Sequence, residues 1–415
     1  MVDRPRRGRR AEPGRAGGAA LSAPALDVAR ARRETPGTAH VAHLDNAGAA
    51  LPPAVVTEAV VGHLRLEART GGYAAAAAAA GDVAATYAAV ARLLGCAPEE
   101  IALTGSATAA WRAAFSGLRF RRGQRVLTGR SEYAGNLIAL LQAAARTGVV
   151  VEVVDDDEHG QLDVADLRRR LDDDVALVAV THVPTSGGLV NPVAEVGRLC
   201  REAGTLFLLD ACQSVGQLPV DVAGIGCDFL TATGRKFLRA PRGTGFLYAS
   251  PRTRHVEPLF PDLRSAELTG PDRYAVRDDA RRFETWEHDV AGRIGLGVAV
   301  EHALGWGLPA IRDRVRDLAA GLRARLRERP GTAVHDRGLQ RCGIVTFTVE
   351  GVPAADVRRA LASAGVTTAV SAAASAPLDL GARGLPDVVR ASVHYYNDED
   401  DLGRLLAALP APRPR

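Results

Sequence analysis

The sequence contains almost no lysine. Of its 52 lysine and arginine residues a single one is lysine, Lys236, within the stretch TATGRKFLRAPRGTG. Arginine replaces lysine well as a surface charge, but its guanidinium is effectively never deprotonated and cannot act as an amine nucleophile. The chemistry left to lysine alone is Schiff-base formation. The alternative is a chance surface lysine, and the rest of the chain has to decide between the two.

The chain also lacks paired cysteines. Its five cysteines show no CxxC spacing and no nearby histidine at the spacing of a metal ligand; they are Cys96, Cys200, Cys212, Cys227 and Cys342. This pattern argues against a zinc site and against a disulfide framework, so no metal is expected. We expect a cytoplasmic protein whose thiols are small buried hydrophobic groups.

Long apolar runs are missing as well. No window reaches 18 strongly apolar residues, and the alanine run near residue 75 is broken by Gly81 and Asp82, so no membrane span or membrane partner is expected. Residues 1–38 are rich in arginine, glycine and proline and have no apolar period, which predicts a disordered basic tail. Such a tail can touch nucleic acid non-specifically, but a solvated extension is the simpler interpretation. We expect no specific nucleic-acid partner.

What the chain does contain is enough apolar material for two domains, with 415 residues of which 47% are hydrophobic. Short apolar runs alternate with amphipathic helical stretches, which predicts an α/β fold with a mostly parallel sheet. The predicted strands are EIALTG, RVLTGR, VVVEVV, VALVAVTHV, TLFLLDACQS, CDFLTATG and TGFLYAS. We assign residues 39–290 to this large domain and residues 291–415 to a smaller α+β domain that opens with a long helix, Ala291 to Trp306.

Polar residues follow four of the predicted strands, at the edge where an open parallel sheet places its ligand. One strand ends in TGS and leads into a helix. Ser106 and the free backbone N–H groups of this helix end can form a phosphate cradle. The alternative is that Ser106 only caps the helix. Asp210 follows four apolar residues and needs a cationic partner, because an unpaired buried carboxylate costs several kcal/mol. Lys236 ends a third strand, and His182 and Thr185 follow a fourth.

An anion cradle, a buried carboxylate and a lone lysine on one rim describe a site for pyridoxal 5'-phosphate (PLP). The phosphate occupies the helix end, the carboxylate of Asp210 keeps the pyridine nitrogen protonated, and Lys236 forms the Schiff base. A protonated pyridine ring withdraws electrons from the Cα of an attached amino acid. In this interpretation Asp210 and Lys236 are both catalytic.

The segment DACQSVGQLPVDVAGIGCDFLTATGRKFLRAPRGTGFLY closely resembles the cofactor-binding core of the class V aminotransferase family, and the resemblance covers roughly residues 41–408. The family includes cysteine desulfurases, C–S lyases and enzymes like isopenicillin N epimerase. The resemblance implies the PLP-dependent transferase fold of type I, with an N-terminal segment packed on the small domain. It also implies a homodimer acting on an amino acid.

Site roles follow from the same resemblance. Gln213 would bond the phenolic oxygen of the cofactor, Tyr133 would stack on its ring, and Arg390 of VVRASVHYY would grip the substrate carboxylate, unless it forms an ordinary ion pair at the strand edge. The phosphate contacts would fall on the residues around the two strand ends, and the remaining candidates are a further cofactor contact and two substrate contacts. These residues are Ser106, Ala107, Thr108, Thr233 and Arg235 for the phosphate, His182 for the cofactor, and Thr185 and Asn46 for the substrate.

Departures from the family pattern concern the reaction. In desulfurases a mobile loop before the final strand carries a nucleophilic cysteine, but here that segment reads TTAVSAAASAPLDLGARGLP without one. Cys342 lies upstream at the head of a strand and is expected to be buried. Around Trp286, ETWEHD replaces a turn that reaches the partner's phosphate in family dimers. Three functions stay open: a β-eliminating C–S lyase, an aminotransferase or epimerase, and a non-catalytic binding protein with a PLP fold.

Overall fold

The computed structural model describes residues 26–413 of the protein. The helices are α1 Val28–Arg33, α2 Asn46–Ala49, α3 Ala54–Thr70, α4 Gly72–Ala78, α5 Ala80–Leu94, α6 Ala107–Ser116, α7 Ala134–Thr147, α8 Val164–Arg170, α9 Val193–Ala203, α10 Val222–Ile225, α11 Val290–Trp306, α12 Leu308–Glu328, α13 Ala354–Ser363 and α14 Glu399–Ala408. The strands are β1 Ala42–His43, β2 Ile101–Thr104, β3 Arg125–Gly129, β4 Val150–Val154, β5 Val175–Thr181, β6 Leu206–Asp210, β7 Phe229–Thr233, β8 Gly245–Ala249, β9 Ala266–Gly270, β10 Arg273–Val276, β11 Thr332–Val334, β12 Ile344–Val349, β13 Val366–Thr367, β14 Ala369–Ser371 and β15 Val388–Ser392.

The large domain is built on a seven-stranded sheet in the order β2-β8-β7-β6-β5-β3-β4. All neighbouring pairs from β7 to β4 are parallel, and only β8 runs antiparallel to its two neighbours. These strands are the seven that the sequence predicts, and they confirm the α/β fold with a mostly parallel sheet. Their nearly continuous apolar runs are typical of strands buried on both faces.

Alternating side chains of β6 show how helices cover both faces of this sheet. Leu209 belongs to a core shared with α5, α9 and α11, whereas its neighbour Leu208 belongs to a second core shared with α6 and α7. Successive strand residues point to opposite faces, so one strand serves both cores. The polar carboxyl ends of the strands remain at one edge, between the helix layers.

The smaller domain contains a four-stranded antiparallel sheet in the order β11-β12-β15-β14. The short strand β1 pairs in parallel with β13, and Asp45 forms a bridge to Ser392 of β15. Residues 42–45 therefore pack on the smaller domain although they precede the large one in the chain. This arrangement brings the beginning of the described chain to the edge where the strands of the large sheet end.

The tail predicted for residues 1–38 extends too far. Residues 26–38 contain α1 and a 3-10 turn, and Arg32 donates a 2.9 Å hydrogen bond to Asp401 of α14. Ala31 of α1 is fully buried. The arginine-rich composition suggested a solvated tail, but Arg32 forms ion pairs with Asp398 and Asp401 of the smaller domain. The rest of the predicted tail, residues 1–25, lies outside the described residues.

The domain boundary predicted at residue 291 also differs from the structure. Helix α11 packs against α3 and α5 of the large domain: Thr86 donates to the carbonyl of Arg293 (3.0 Å), and a Cβ on Gly295 would lie 2.6 Å from Val60. Glycines let this helix approach its neighbours closely. The smaller domain begins instead with α12, after a turn at Gly307 with φ of 83°.

One helical stretch, Asn46–Thr70, has the length and mean hydropathy (1.2) to cross a membrane, and two bent helix pairs would qualify if each formed one span. The stretch consists of α2 and α3, with Pro52 and Pro53 between them. The sequence analysis expected no segment long and apolar enough to span a membrane, and by length and composition alone this stretch is such a segment. The expectation of no membrane partner stays a prediction.

The packing of α9 can be tested with matched glycine substitutions. A Cβ on Gly197 would lie 1.9 Å from the carbonyl oxygen of Ile225, whereas a Cβ on Gly62 of α3 meets nothing within 4 Å. We expect Gly197→Ala to lower the free energy of unfolding by about 1–3 kcal/mol, because α9 must move away from α10. Gly62→Ala should raise it by roughly 0.5–1 kcal/mol, since glycine is a poor helix former. Denaturant unfolding measures both, and a stabilising Gly197→Ala would contradict the packing.

Candidate active site

A cavity lies at the carboxyl ends of β5, β6 and β7 and at the start of α6. Ten of the thirteen residues predicted for the site line it, together with four that were not predicted. The lining residues are Ser106, Ala107, Thr108, Tyr133, Thr185, Asp210, Gln213, Thr233, Arg235 and Lys236, and in addition Asn136, Thr181, Val183 and Cys212. The parallel sheet thus brings together strand ends that are distant in the sequence.

The start of α6 forms an anion cradle on one side of the cavity. Ser106 caps the helix, because its hydroxyl oxygen accepts a hydrogen bond from Ala109 N (3.1 Å). The N–H groups of Ala107 and Thr108, in the first turn, have no carbonyl partner within the helix and point out of its positive end. A Cβ on Gly245 would lie 2.6 Å from Ser106 C, so this glycine lets β8 approach the cradle. The arrangement fits a phosphate group.

Positive charge at the same end of the cavity comes from Arg235. Its guanidinium donates one hydrogen bond to the carbonyl of Gly48 and keeps its other N–H groups for a ligand. Thr233 is less available, because its hydroxyl donates to the carbonyl of Thr244 (3.1 Å). Arg235 is the only arginine among the lining residues. We therefore expect it to contribute more to phosphate binding than Thr233.

Asp210 lies at the end of β6 and is 6% exposed. One carboxylate oxygen accepts a hydrogen bond from Cys212 N (2.9 Å) and the other accepts one from the amide of Asn136 (2.9 Å). Burial raises the pKa of Asp210, while these two hydrogen bonds and the positive charge of Lys236 oppose the rise. Lys236, 8% exposed, is the cationic partner that the sequence required.

Gln213 has an unsatisfied acceptor in the cavity wall. Its amide nitrogen donates to the carbonyl of Ala47 (3.1 Å) and to the hydroxyl of Thr185 (3.2 Å), and its Oε1 is buried without a partner. Leaving such an atom unpaired is costly unless a ligand donates to it. A hydroxyl group on an aromatic ring, as PLP carries, would satisfy it.

Tyr133 precedes α7 and places its ring in the cavity wall. The ring lies over Gly135, where a Cβ would be 2.6 Å from Tyr133 Cε1. Gly135 therefore makes room for the ring in its present position. The stacking of this ring on the cofactor stays a prediction.

Two predicted residues are separated from the cavity. His182 does not line it, because Thr181, Val183 and Thr185 do and alternate residues of an extended strand point to opposite sides. Burial lowers the pKa of His182 to about 4, so its imidazole is neutral. Asn46 has no free group for a substrate: its amide nitrogen donates to the carbonyl of Ser392 (2.7 Å) and its oxygen accepts from the Tyr396 hydroxyl. The structure assigns Asn46 to the packing of the N-terminal segment.

Arg390 lies in β15 and does not line the cavity itself, but it contacts the lining residue Thr185. Its guanidinium donates to the hydroxyl of Thr185 (2.8 Å) and forms an ion pair with Asp45 (2.9 Å), while its Nε is buried without a partner. The ion pair considered as the alternative for Arg390 is therefore present. The Nε–H group of the guanidinium remains for a ligand.

Four lining residues were missed by the sequence analysis. Thr181 and Val183 continue β5 toward Thr185, and alternation along the strand could have identified them. Asn136 in the first turn of α7 follows Tyr133 by three residues, the spacing that places both on one helix face. Cys212 lies between Asp210 and Gln213 in the sequence, and these two predicted site residues could have identified it as a lining residue.

The loop that carries Lys236 is held by Arg239, which has φ of 62° and is the only non-glycine residue with positive φ among residues 26–413. Arg239 is 2% exposed and donates to the carbonyl of Leu51 (2.8 Å) and to the hydroxyls of Thr35 and Tyr395. Its guanidinium also lies 4.6 Å from the centroid of the Tyr396 ring. A left-handed backbone conformation at a residue other than glycine costs about 1 kcal/mol, and these contacts offset that cost.

Residues 42–405 match the family model of class V aminotransferases. The chain belongs to this family. A probable cysteine desulfurase from Methanothermobacter thermautotrophicus is 32% identical over 317 residues, covering 75% of this chain and 79% of that protein. The apo structure of a cysteine desulfurase from Thermococcus onnurineus NA1 superposes with a TM-score of 0.86 at 26% identity, covering 93% of this chain and 98% of that one.

A second similar structure supports the fold. The cystine C–S lyase C-DES, solved with its reaction product cysteine persulfide, gives a TM-score of 0.81 at 23% identity and covers 91% of this chain and 100% of that one. A variant of C-DES carries glycine linked covalently to its PLP cofactor. The class V chain described here is a PLP-dependent enzyme of fold type I, and the cradle, Asp210, Gln213 and Lys236 fit the cofactor. The non-catalytic interpretation is thereby set aside.

The role of Lys236 can be tested without interference from other side-chain amines, because the chain has no second lysine. We expect both Lys236→Ala and Lys236→Arg to fold and to lose covalent attachment of PLP, since neither side chain can form an imine. Lys236→Arg keeps a cation beside Asp210 and should be the more stable of the two. Mass spectrometry after borohydride reduction measures the adduct. In the wild type the reduced adduct should lie on Lys236, and a wild-type enzyme that binds PLP without a reducible adduct on this residue would disprove the assignment.

Proposed function

We propose that this enzyme is a C–S lyase that removes a sulfur substituent from Cβ of an amino acid such as cysteine or cystine, without a protein persulfide. The observation that carries the proposal is the loop between β14 and β15, which contains no thiol in the place where desulfurases hold their nucleophilic cysteine. Cysteine desulfurase relatives support a sulfur-containing amino acid as the substrate.

Hydrogen bonds hold this loop against the rest of the protein. Asp379 pairs with Arg383 (3.1 Å) and accepts a hydrogen bond from Ser186 (3.3 Å), and Arg383 also donates to the carbonyl of His335 (2.8 Å). At the end of the loop, Asp387 accepts from Ala373 N (2.9 Å). A persulfide carrier needs an exposed thiolate on a mobile segment, and this loop provides neither.

The cysteines outside the loop are poor persulfide carriers. Cys342 is fully buried, as predicted, and burial raises the pKa of its thiol to about 11. Cys200 and Cys227 are buried too, and burial raises the pKa of the half-buried Cys96 to about 12. Cys212, half-buried in the cavity wall, is the remaining candidate.

Each proposed step uses a residue at the cavity or next to it. Bound PLP supplies an electron-withdrawing ring that makes the Cα–H bond of the amino acid acidic. Asp210, as a carboxylate, would pair with the pyridine nitrogen, and Lys236 would accept the Cα proton at Nζ. Arg390, with its unused Nε, orients the substrate carboxylate beside Thr185. The sulfur substituent leaves from Cβ with its bonding electrons, and water then releases pyruvate and ammonia.

Cysteine desulfuration is the second candidate, because the curated relatives carry that name and one thiol, Cys212, lines the cavity. It would give alanine and sulfur bound to the protein, whereas the lyase gives pyruvate and free sulfur compounds. Transamination and epimerisation would give a keto acid without loss of sulfur, or a D-amino acid. The products therefore separate all these reactions.

The product test uses the holoenzyme with L-cysteine and L-cystine. We expect pyruvate and ammonia in equal amounts, with sulfide from cysteine or a small-molecule persulfide from cystine. Lactate dehydrogenase coupling measures pyruvate, and chiral chromatography measures alanine and D-amino acids. Alanine as the main product would contradict the lyase proposal.

Cys212→Ser separates the two sulfur reactions more sharply. If no protein thiol carries sulfur, the variant should retain turnover within about threefold, because serine is close in size to cysteine and the pocket wall is kept. Cys342→Ser is the matched control, and it should cost stability but not turnover, since it places a hydroxyl in a buried apolar site. Abolished turnover in Cys212→Ser with PLP still bound, or a persulfide trapped on Cys212, would favour the desulfurase.

We also propose a cytoplasmic homodimer with the cavity near the subunit boundary. All five cysteines are free, which suits a reducing compartment. Trp286, 54% exposed, and Tyr73, 86% exposed, line one open groove together with Glu67, Arg264, Glu287 and His288. A second copy would cover the two exposed aromatic rings. Light scattering should give twice the chain mass at micromolar concentration, and Trp286→Arg should shift the mass toward the monomer. A fully active monomer would contradict this proposal.

A further inference from the structure

A second buried carboxyl group lies behind the cavity wall. Glu132, between β3 and α7, is 8% exposed. Its Oε1 accepts hydrogen bonds from the Thr181 hydroxyl (2.6 Å) and from Tyr133 N (2.8 Å). The same oxygen accepts a third from the amide of Asn136 (2.9 Å), and Oε2 is bonded to the Thr128 hydroxyl (3.0 Å). No arginine, lysine or histidine among residues 26–413 forms an ion pair with Glu132.

Asn136 joins this carboxyl group to Asp210. Its amide nitrogen donates one hydrogen to Glu132 Oε1 and the other to Asp210 Oδ2, each at 2.9 Å. The two carboxyl oxygens therefore lie no more than twice that distance apart. The orientation of the amide is fixed, because turning it over would direct its oxygen at two carboxyl groups.

Two carboxylates this close and this deeply buried cannot both be charged without a large cost. Asp210 has a cation, Lys236, and Glu132 has none. Burial is the main cause that raises the pKa of Glu132 to about 7; the Thr181 hydrogen bond opposes the rise, and the charge of Asp210 adds to it. The group with the cation keeps the charge, so Glu132 is the one that retains a proton.

The hydrogen-bond geometry shows which oxygen carries this proton. Oε1 already accepts three hydrogen bonds, so its lone pairs are occupied. Oε2 has a single partner, the Thr128 hydroxyl, whose oxygen can accept as well as donate. A proton on Oε2 can therefore be donated to the Thr128 hydroxyl oxygen, which then accepts this hydrogen bond instead of donating it.

We propose that Glu132 is a positioning residue: it carries a proton on Oε2 and, through Asn136, keeps the single negative charge of the cluster on Asp210, where it faces the pyridine nitrogen of PLP. The inference rests on the role of Asp210 proposed above and not on which bond the enzyme breaks. Loss of this proton places a second negative charge behind Asp210 and disturbs the Asn136 bridge.

Other ionisable groups near Glu132 do not replace Asp210 in this role. On β5, His182 is neutral, for the reason given above. At the end of β3, Arg130 pairs with the exposed Asp155 (2.6 Å) and is itself 38% exposed. The charged groups that face the cluster are thus Asp210 and, beyond it, Lys236.

Glu132→Gln provides a close mimic of the protonated side chain. The glutamine carbonyl accepts the three hydrogen bonds of Oε1, and its amide nitrogen donates to Thr128. Because the folded state raises the pKa of Glu132, the stability from its proton is present below the pKa of an unfolded glutamate and is lost as pH rises through about 7. Wild type should therefore lose roughly 3–5 °C in Tm relative to Glu132→Gln between pH 5 and pH 8.

The measurement is thermal unfolding of the full-length holoenzyme with excess PLP, repeated across this pH range. Glu202→Gln, which removes an exposed carboxylate of α9 paired with Arg198, controls for the loss of charge and should show no such step. In an Asp210→Asn background the step should move to lower pH by about one unit, because the repulsion is gone. Glu132→Gln should also bind PLP within about threefold of wild type at pH 6.

Three results would overturn the inference. They are a Tm difference that does not change with pH, a tenfold loss of PLP affinity in Glu132→Gln at pH 6, and a step that Asp210→Asn leaves in place. The first two results would show that Glu132 is a charged hydrogen-bond acceptor. The third would show that the protonation of Glu132 does not depend on the charge of Asp210. None of these measurements requires turnover, so failure of the lyase proposal would leave the test intact.

Discussion

The buried negative charge of Asp210 is the constraint around which the site is arranged. A carboxylate at the end of a buried strand requires a cation and hydrogen-bond donors, because burial alone favours its neutral form. Lys236 in the loop after β7, the backbone of Cys212 and the amide of Asn136 meet these needs from three different segments. The parallel order of β5, β6 and β7 makes this possible, since it places their carboxyl ends side by side.

The same charge explains why the surrounding polar residues are so fully hydrogen-bonded. Asn136 has both N–H groups engaged, and Thr181 serves the neighbouring Glu132. In a medium of low polarity an unpaired group is expensive, and a satisfied network fixes one arrangement. The exceptions near the site are Gln213 Oε1, Arg390 Nε, His182 Nδ1 and Thr231 Oγ1. The first two lie at or next to the cavity, where a ligand can satisfy them.

Much of the fold and the centre of the site could be predicted from the sequence, because they depend on local patterns. Apolar runs identified the seven strands, and a lone lysine together with a buried aspartate identified the cofactor site. What depends on tertiary contacts was not predictable in this way. The arginine-rich α1 resembled a solvated tail, although Arg32 is hydrogen-bonded to Asp401 of α14. Asn46 resembled a ligand contact, although Ser392 and Tyr396 occupy its amide. The sequence did not point to Glu132, because its proposed role depends on the Asn136 amide, which it shares with Asp210 in the folded structure.

The left-handed turn at Arg239 connects three parts of the chain that sequence distance separates. Its guanidinium holds Thr35 before β1, Leu51 between α2 and α3, and Tyr395 after β15, while its backbone N–H donates to the carbonyl of Lys236 (2.9 Å). The cofactor-bearing loop is thus fastened to both ends of the folded chain. Because one of these contacts comes from Tyr395, the loop gains its full set of contacts during synthesis only after β15 has emerged and the smaller domain has docked.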